Sequence, residues 1–296
     1  MILVSGGTGF IGRALARHLA ADGREVRLLL RPSQSPRLPQ GVRLEITVCS
    51  IKDERGLRAA MNGVDVVYHL IGAERMGLQA DLNHVDVEGT QALVNAAAQS
   101  GVKRFFYLSH LGADRSSAYT VLKAKGLAEN IILNSGVPYT IFRSGPVTGP
   151  GDQFTVPLKA LFKLNPFVFL IPDGGITRIQ PIWVEDLVTC LTLALDDTQT
   201  VNQTIQVGGE EFLTFAEVVD ILLKKLKMRR MIVGVGSAYL RILGLWVEQF
   251  NPKFPFSLFW LDYLAADRTC SIDTVPRTFG LIPARFNHNL DYLVED

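Results

Sequence analysis

The sequence predicts a doubly wound α/β fold followed by a smaller lobe, and three observations carry that expectation. Short apolar runs alternate with helical stretches through the first half of the chain. A knot of glycines, SGGTGFIG, stands where the first run turns into the first helical stretch. Beyond Gly149 the alternation stops, because Pro157, Pro166, Pro172 and Pro181 interrupt VPLKALFKLNPFVFLIPDGGITRIQPIW. Near-continuous apolar strands separated by helices are the pattern of a parallel sheet buried on both faces.

The elements follow in order. ILVS is the first strand, with a helix over about 10–21, and EVRLLL (25–30) is the second. VRLEITV (42–48), a short helix near 54–61, VDVVYHL (64–70) and a helix over about 87–99 come next. KRFFYLS (103–109), a helix over about 119–134 and PYTIFR (138–143) complete the alternation. The expected division is a dinucleotide-binding domain over 1–149 and a mixed segment over 150–296. Part of that segment, about 182–208, rejoins the main body through a helix near 185–194 and the strand TIQVG. In TFAEVVDILLKKL, Thr214 and Glu217 have capping-box spacing. GSAYLRILGLWVEQF and FSLFWLDYLAAD read as helices.

Composition narrows the function. The 296 residues are 48% hydrophobic, enough for a large core, and 30 basic residues against 29 acidic ones give a net charge of +1. No overall basic field argues for nucleic acid as a partner. Cys49, Cys190 and Cys270 lie far apart without metal-ligand spacing, so buried free thiols and no metal are expected. The opening strand leaves no room for a cleavable leader, and no run reaches the roughly 18 apolar residues of a membrane span. The expected location is cytoplasmic.

The glycines fit Gly6-x-x-Gly9-x-x-Gly12 and Gly7-x-Gly9-x-x-Gly12 at once. Between a strand and a helix, glycines permit a tight turn, close approach of backbone to a pyrophosphate, and helix-on-sheet packing. The amides of Phe10 and Ile11 in the first helical turn then face the phosphates. An acid that would hold the adenosine ribose of NAD is due about 20 residues on. The chain has Arg31 there instead, and Arg13 directly after the last glycine. Two guanidiniums suit a 2′-phosphate, so NADP(H) is the preferred cofactor and NAD(H) the alternative.

Tyr119 and Lys123 stand four apart at a predicted helix start, a spacing that puts both on one face. A nearby ammonium favours an ionised phenol, which fits Tyr119 for proton transfer to or from a substrate oxygen. With GGTGFIG, VDVVYHLIG, VEGTQALVNAA, GVKRFFYLS, YTVLK and FRSGPVTGPGD, residues 1 to about 210 resemble the short-chain dehydrogenase/reductase superfamily in its extended or atypical branch. LSHLGAD and RIQPIWVEDL make the chain most similar to the group related to the NADPH-binding accessory subunit of respiratory complex I.

The resemblance implies a Rossmann-type fold with a small C-terminal substrate lobe. It implies that Leu70, Ile71 and Gly72 line the cofactor, that Pro146 and Val147 lie near the nicotinamide, and that Ser50 and Ile51 lie near the adenine. Lys123 would also hold the nicotinamide ribose. Catalytic relatives carry Ser or Thr where this chain has His110, one residue after Ser109, so both are candidates for polarising a substrate carbonyl. Asp86 replaces the usual Asn of the N-V-x-G-T element, and Ser50 stands where an Asp is common.

Gln153, Phe154, Arg178 and Gln180 are candidates to line a substrate pocket, and Phe162, Phe167 and Phe169 lean towards a lipophilic substrate or towards core packing. KKLKMRR (224–230) before an apolar tail fits either a solvated helix end or a peripheral membrane or protein contact. Two functional readings stand: an NADP(H)-dependent oxidoreductase or epimerase-like enzyme, and a non-catalytic NADP(H)-binding redox sensor or assembly factor.

Overall fold

The computed structural model describes residues 1–32, 38–39, 41–73, 80–250, 254 and 258–294. The alternating half folds as β1 (Ile2–Ser5), α1 (Phe10–Ala21), β2 (Val26–Leu30), β3 (Glu45–Val48), α2 (Glu54–Ala60) and β4 (Val66–His69). A π-helical turn (Asn83–Glu88) leads into α3 (Gly89–Gln99), then β5 (Arg104–His110), α4 (Thr120–Leu133) and β6 (Tyr139–Ser144). There follow β7 (Val147–Thr148), α5 (Thr155–Leu164), β8 (Val168–Pro172), β9 (Arg178–Ile179), β10 (Ile182–Trp183), α6 (Val184–Asp196) and β11 (Gln203–Val207). The chain continues as β12 (Leu213–Thr214), α7 (Phe215–Lys225), β13 (Met231–Val235), α8 (Ser237–Phe250), α9 (Leu258–Tyr263) and α10 (Thr274–Phe279).

Seven strands form one sheet in the order β11-β6-β5-β4-β1-β2-β3, the predicted doubly wound α/β architecture. Strands β1 to β5 pair in parallel. Period-2 alternation sends Val67, Phe105 and Tyr107 to a core shared with Leu57, Leu93, Val94, Ala128 and Ile132 of the helices. Tyr68 points the other way, where it stacks on Phe106 at 4.4 Å and donates to the Leu191 carbonyl of α6. Both faces are therefore covered. The chain runs outward from β1 through β2 to β3 and then returns to β1's other side with β4. Such a reversal opens a crevice beyond the strand ends, where open α/β sheets bind ligands. The residues at that reversal are Ser5 and His69, paired in register.

The chain divides into two compact units. The first holds Met1–Ala73, Asp81–Arg143 and Leu187–Gln206, and the second holds Ser144–Asp186 and the chain from Val207 on. The first unit therefore ends at Arg143, and the segment that returns to it is 187–206.

In the second unit the prolines conceal regular structure. Pro157 falls in the first turn of α5, where a missing N–H breaks no helical hydrogen bond. β8, closed by Pro172, pairs in parallel with β13. The carboxylate of Asp152 starts α5: it accepts from the Phe154 and Thr155 amides at 2.8 and 2.6 Å, from Gly149 N at 2.9 Å and from the Tyr292 hydroxyl at 2.8 Å. Burial first, and the Asp152 charge second, push the Tyr292 phenol above its ordinary range. The expected capping box of α7 is present, with Thr214 Oγ1 accepting from Glu217 N and the Glu217 carboxylate accepting from Thr214 N. All three cysteines are free and buried.

Asp152→Ala leaves several buried donors without an acceptor and should lower unfolding stability by about 3 kcal/mol. Thr214→Ala, which removes an exposed cap, should cost only about 1 kcal/mol. Urea midpoints of the two variants check both the sizes and their order.

Candidate functional site

The glycine knot joins β1 to α1 beside the chain that continues from β4. Gly6 has φ +81°, and a Cβ there would lie 2.9 Å from the Leu70 carbonyl carbon. A Cβ on Gly12 would overlap the Gly6 carbonyl oxygen and come within 2.7 Å of Gly7 Cα. Side chains at these two positions would push α1 off the sheet and strain the turn. Gly9 N-caps α1 without a side-chain hydrogen bond, and no acidic residue occupies the first turn. The first-turn amides, those of Phe10 and Ile11 among them, thus have no capping side chain and favour an anion. Arg13 Nη1 donates to Thr8 O at 2.9 Å and braces the loop.

Beyond β2, Arg31 is exposed directly after the last strand residue. Asp53, the acid after β3, accepts from Gly56 N at 2.9 Å and caps α2. Ser50 is exposed, with its hydroxyl accepting from Lys52 N at 3.3 Å. Ile51 packs where a Cβ on Gly89 would come within 2.9 Å of its Cδ1.

Leu70, Ile71 and Gly72 continue β4 and are half-buried. Behind them stands a buried ion pair, Lys125 Nζ to Asp86 Oδ1 at 2.9 Å. The same ammonium donates to Ile71 O at 3.3 Å and lies 5.4 Å from the Tyr107 ring centroid. Asp86 Oδ2 accepts from Ala73 N at 3.0 Å. The pair thus joins α4, the π-helical turn and the extension of β4.

A buried hydrogen-bonded chain runs beside it. Thr90 Oγ1 donates to Asp86 O at 2.5 Å, so it accepts from His69 Nε2–H at 2.9 Å. That leaves His69 Nδ1 to accept from the Ser5 hydroxyl at 2.7 Å. Burial, and after it the Lys125 charge, hold the His69 pKa down to about 3. The imidazole is therefore neutral at physiological pH.

Lys123 is exposed, and the buried lysine of α4 is Lys125. At 100° per residue the two point roughly 200° apart, so only one can face the sheet. Tyr119 is half-buried and sits at the N-cap of α4, outside the helix, with its amide donating to Ser117 Oγ at 3.2 Å. The residue one turn before Lys125 is Val121. The inward row of α4 contains Val121, Leu122, Lys125, Ala128 and Ile132. Ser109 is buried at the end of β5, and His110, next to it, is half-buried.

The remaining candidates lie in the second unit. Pro146 is buried, its carbonyl accepting from Ile182 N at 2.9 Å, and Val147 begins β7. Gln153 and Arg178 are exposed. Phe154 and Gln180 are buried. Phe154 packs against Trp260 at 4.8 Å, while Gln180 donates to Gly209 O at 2.7 Å and accepts from Cys270 N at 2.8 Å. Burying an amide is tolerable when its donor and acceptor are satisfied this way.

The neutral His69 carries a test. Unfolded histidine titrates near about 6.5, so as pH falls from there towards about 3 the unfolded chain takes up a proton that native His69 refuses. Its contribution to stability is present above about pH 6.5 and shrinks on acidification. His69→Asn should flatten that part of the profile, read as urea midpoints across the range.

A family profile described as NAD(P)H-binding matches residues 6–160. The chain is 35% identical over 231 residues to the mitochondrial NADH dehydrogenase [ubiquinone] 1 alpha subcomplex subunit 9 of Arabidopsis thaliana, covering 74% of this chain and 56% of that protein. It is 28% identical over 186 residues to the ceramide reductase of Caulobacter vibrioides, covering 63% of this chain and 58% of that one. The chain thus spans less than two thirds of either relative. The fold matches an NADPH-dependent quinone oxidoreductase of Escherichia coli with a TM-score of 0.78 at 17% identity, covering 99% of both chains. The resemblance to short-chain dehydrogenases of the accessory-subunit type agrees with these relatives, and the chain belongs to the NAD(P)H-binding family.

Proposed function

We propose that the protein is an NADP(H)-dependent oxidoreductase in which Lys123 holds the nicotinamide ribose and the buried Lys125–Asp86 pair fixes the Leu70–Gly72 segment beside the cofactor. The observation that carries this reading is the glycine turn at the sheet's point of reversal. The glycine cradle, which a Cβ at Gly6 or Gly12 would obstruct, fits a pyrophosphate. Arg31 and Arg13 supply guanidiniums for a 2′-phosphate where NAD-binding sites place an acid. When bound, the nicotinamide supplies or accepts the hydride. Tyr119 passes the proton to or from the substrate oxygen, with Ser109 and His110 as candidates to polarise it. The substrate is a lipophilic carbonyl or alcohol, a class supported by the relative described as a ceramide reductase. Buried free thiols suit a reducing, cytoplasmic setting.

One observation favours a second reading. His110, half-buried at the end of β5, stands where catalytic relatives in the resemblance carry Ser or Thr, as suits a protein that binds NADP(H) without turnover and serves as a redox sensor or assembly factor.

NADPH should bind more tightly than NADH, and Arg31→Ala should weaken NADPH by about tenfold while leaving NADH unchanged. Preference for NADH would overturn the cofactor assignment. Lys123→Met should reduce cofactor affinity. With a panel of carbonyls, quinones and sugar nucleotides, oxidation of NADPH that Tyr119→Phe abolishes supports the enzyme. Tight binding without such oxidation decides for the second reading.

A further inference from the structure

Helix α8 is built with its polarity reversed. The side turned to α9 carries Arg241, Gly244 and Glu248, which lie within one narrow arc at 100° per residue. Arg241 grips Asp262 of α9 with Nη1 on Oδ1 at 2.5 Å and Nη2 on Oδ2 at 3.4 Å. Glu248, buried, accepts from Leu258 N at 2.7 Å and so caps α9. Gly244 lets the helices approach, since a Cβ there would lie 2.9 Å from Leu258 Cδ2. The opposite arc carries Tyr239, Ile242, Leu243, Trp246 and Phe250, with Tyr239, Trp246 and Phe250 exposed at 73%, 62% and 77%. Trp246 and Phe250 stack on one another at 5.9 Å.

Soluble helices place charge outward and apolar residues inward. Here both charges pair with α9, Glu248 buried and Arg241 half-exposed, and the aromatic stripe is left outside. The approach to the helix adds a sign of charge. Over 227–250 the sequence holds four basic residues and a single acid, which is the buried Glu248. Lys227 and Arg229 are exposed without a carboxylate partner among the described residues, and they lead directly into the exposed Met231. No described helix is long and apolar enough to cross a membrane, which leaves the interfacial plane for this one.

We infer that α8 is an interfacial anchor that lays its Tyr239–Phe250 stripe into the surface of a bilayer rich in anionic lipid. The aromatic rings seat at headgroup depth, and Lys227 and Arg229 meet the lipid charge. The inference is independent of the cofactor reading. The test is flotation of the full chain with phosphatidylcholine vesicles, and with vesicles in which about one third is phosphatidylglycerol. Co-flotation with the anionic vesicles is expected, weakened by salt, with a blue shift in the fluorescence difference between wild type and Trp246→Phe. Trp246→Glu with Phe250→Glu should lower partitioning at least about tenfold while the circular dichroism and urea midpoint stay unchanged. Lys227→Glu with Arg229→Glu should abolish the preference for anionic over neutral vesicles. Three results would overturn the inference: failure to float with either vesicle, flotation that the glutamate pair leaves intact, or a wild-type dimer that the same pair returns to monomer.

Discussion

A buried ammonium facing a buried carboxylate organises the first unit. Lys125 and Asp86 are both removed from water, and a pair in that position is tolerated only where further hydrogen bonds complete it. Ile71 O, Ala73 N and the Tyr107 ring supply that completion, each from a segment next to the crevice. Removing one partner from such a pair typically costs about 3–5 kcal/mol, because the other charge is left unpaired in low dielectric. The π-helical turn serves the same arrangement. Asp86, on that turn, turns its carboxylate to the lysine while its carbonyl oxygen takes the Thr90 hydroxyl. The neutral His69 then links this point to Ser5, at the end of the neighbouring strand.

Much of this fold was legible in the sequence, and the failures have physical causes. The order of strands and helices through Arg143 followed from apolar periodicity, and the glycine knot from its place between strand and helix. The four-residue spacing of Tyr119 and Lys123 treats both residues as helical, whereas Tyr119 stands at the cap. Gln180 reads as a polar residue and hence as a surface or pocket residue, yet its amide is satisfied by Gly209 and Cys270, far apart in sequence. Only tertiary structure reveals such partners. Proline content hid α5 and β8, because Pro157 and Pro172 occupy positions where no regular hydrogen bond is lost.

Helices α7 and α8 show how one kind of composition yields opposite surfaces. In α7 the apolar row of Phe215, Val218, Val219, Leu222 and Leu223 is buried, with the cap and lysines at the ends. In α8 a row of similar character faces outward, because Arg241 and Glu248 have partners on α9 that no sequence window displays. Sequence periodicity gives the direction of an apolar face relative to a helix, and tertiary pairing decides whether that face is turned in or out.

The pairing of Arg241 and Glu248 with α9 also bears on how quickly such a helix engages a surface. A helix that hides its apolar side must first undock, and that opening step limits the rate of capture. In α8 nothing has to be undone: the guanidinium keeps Asp262, the carboxylate keeps the start of α9, and the stripe is presented in advance. Attachment then proceeds at the rate of encounter, without a lag, and detachment returns the same conformer ready to bind again.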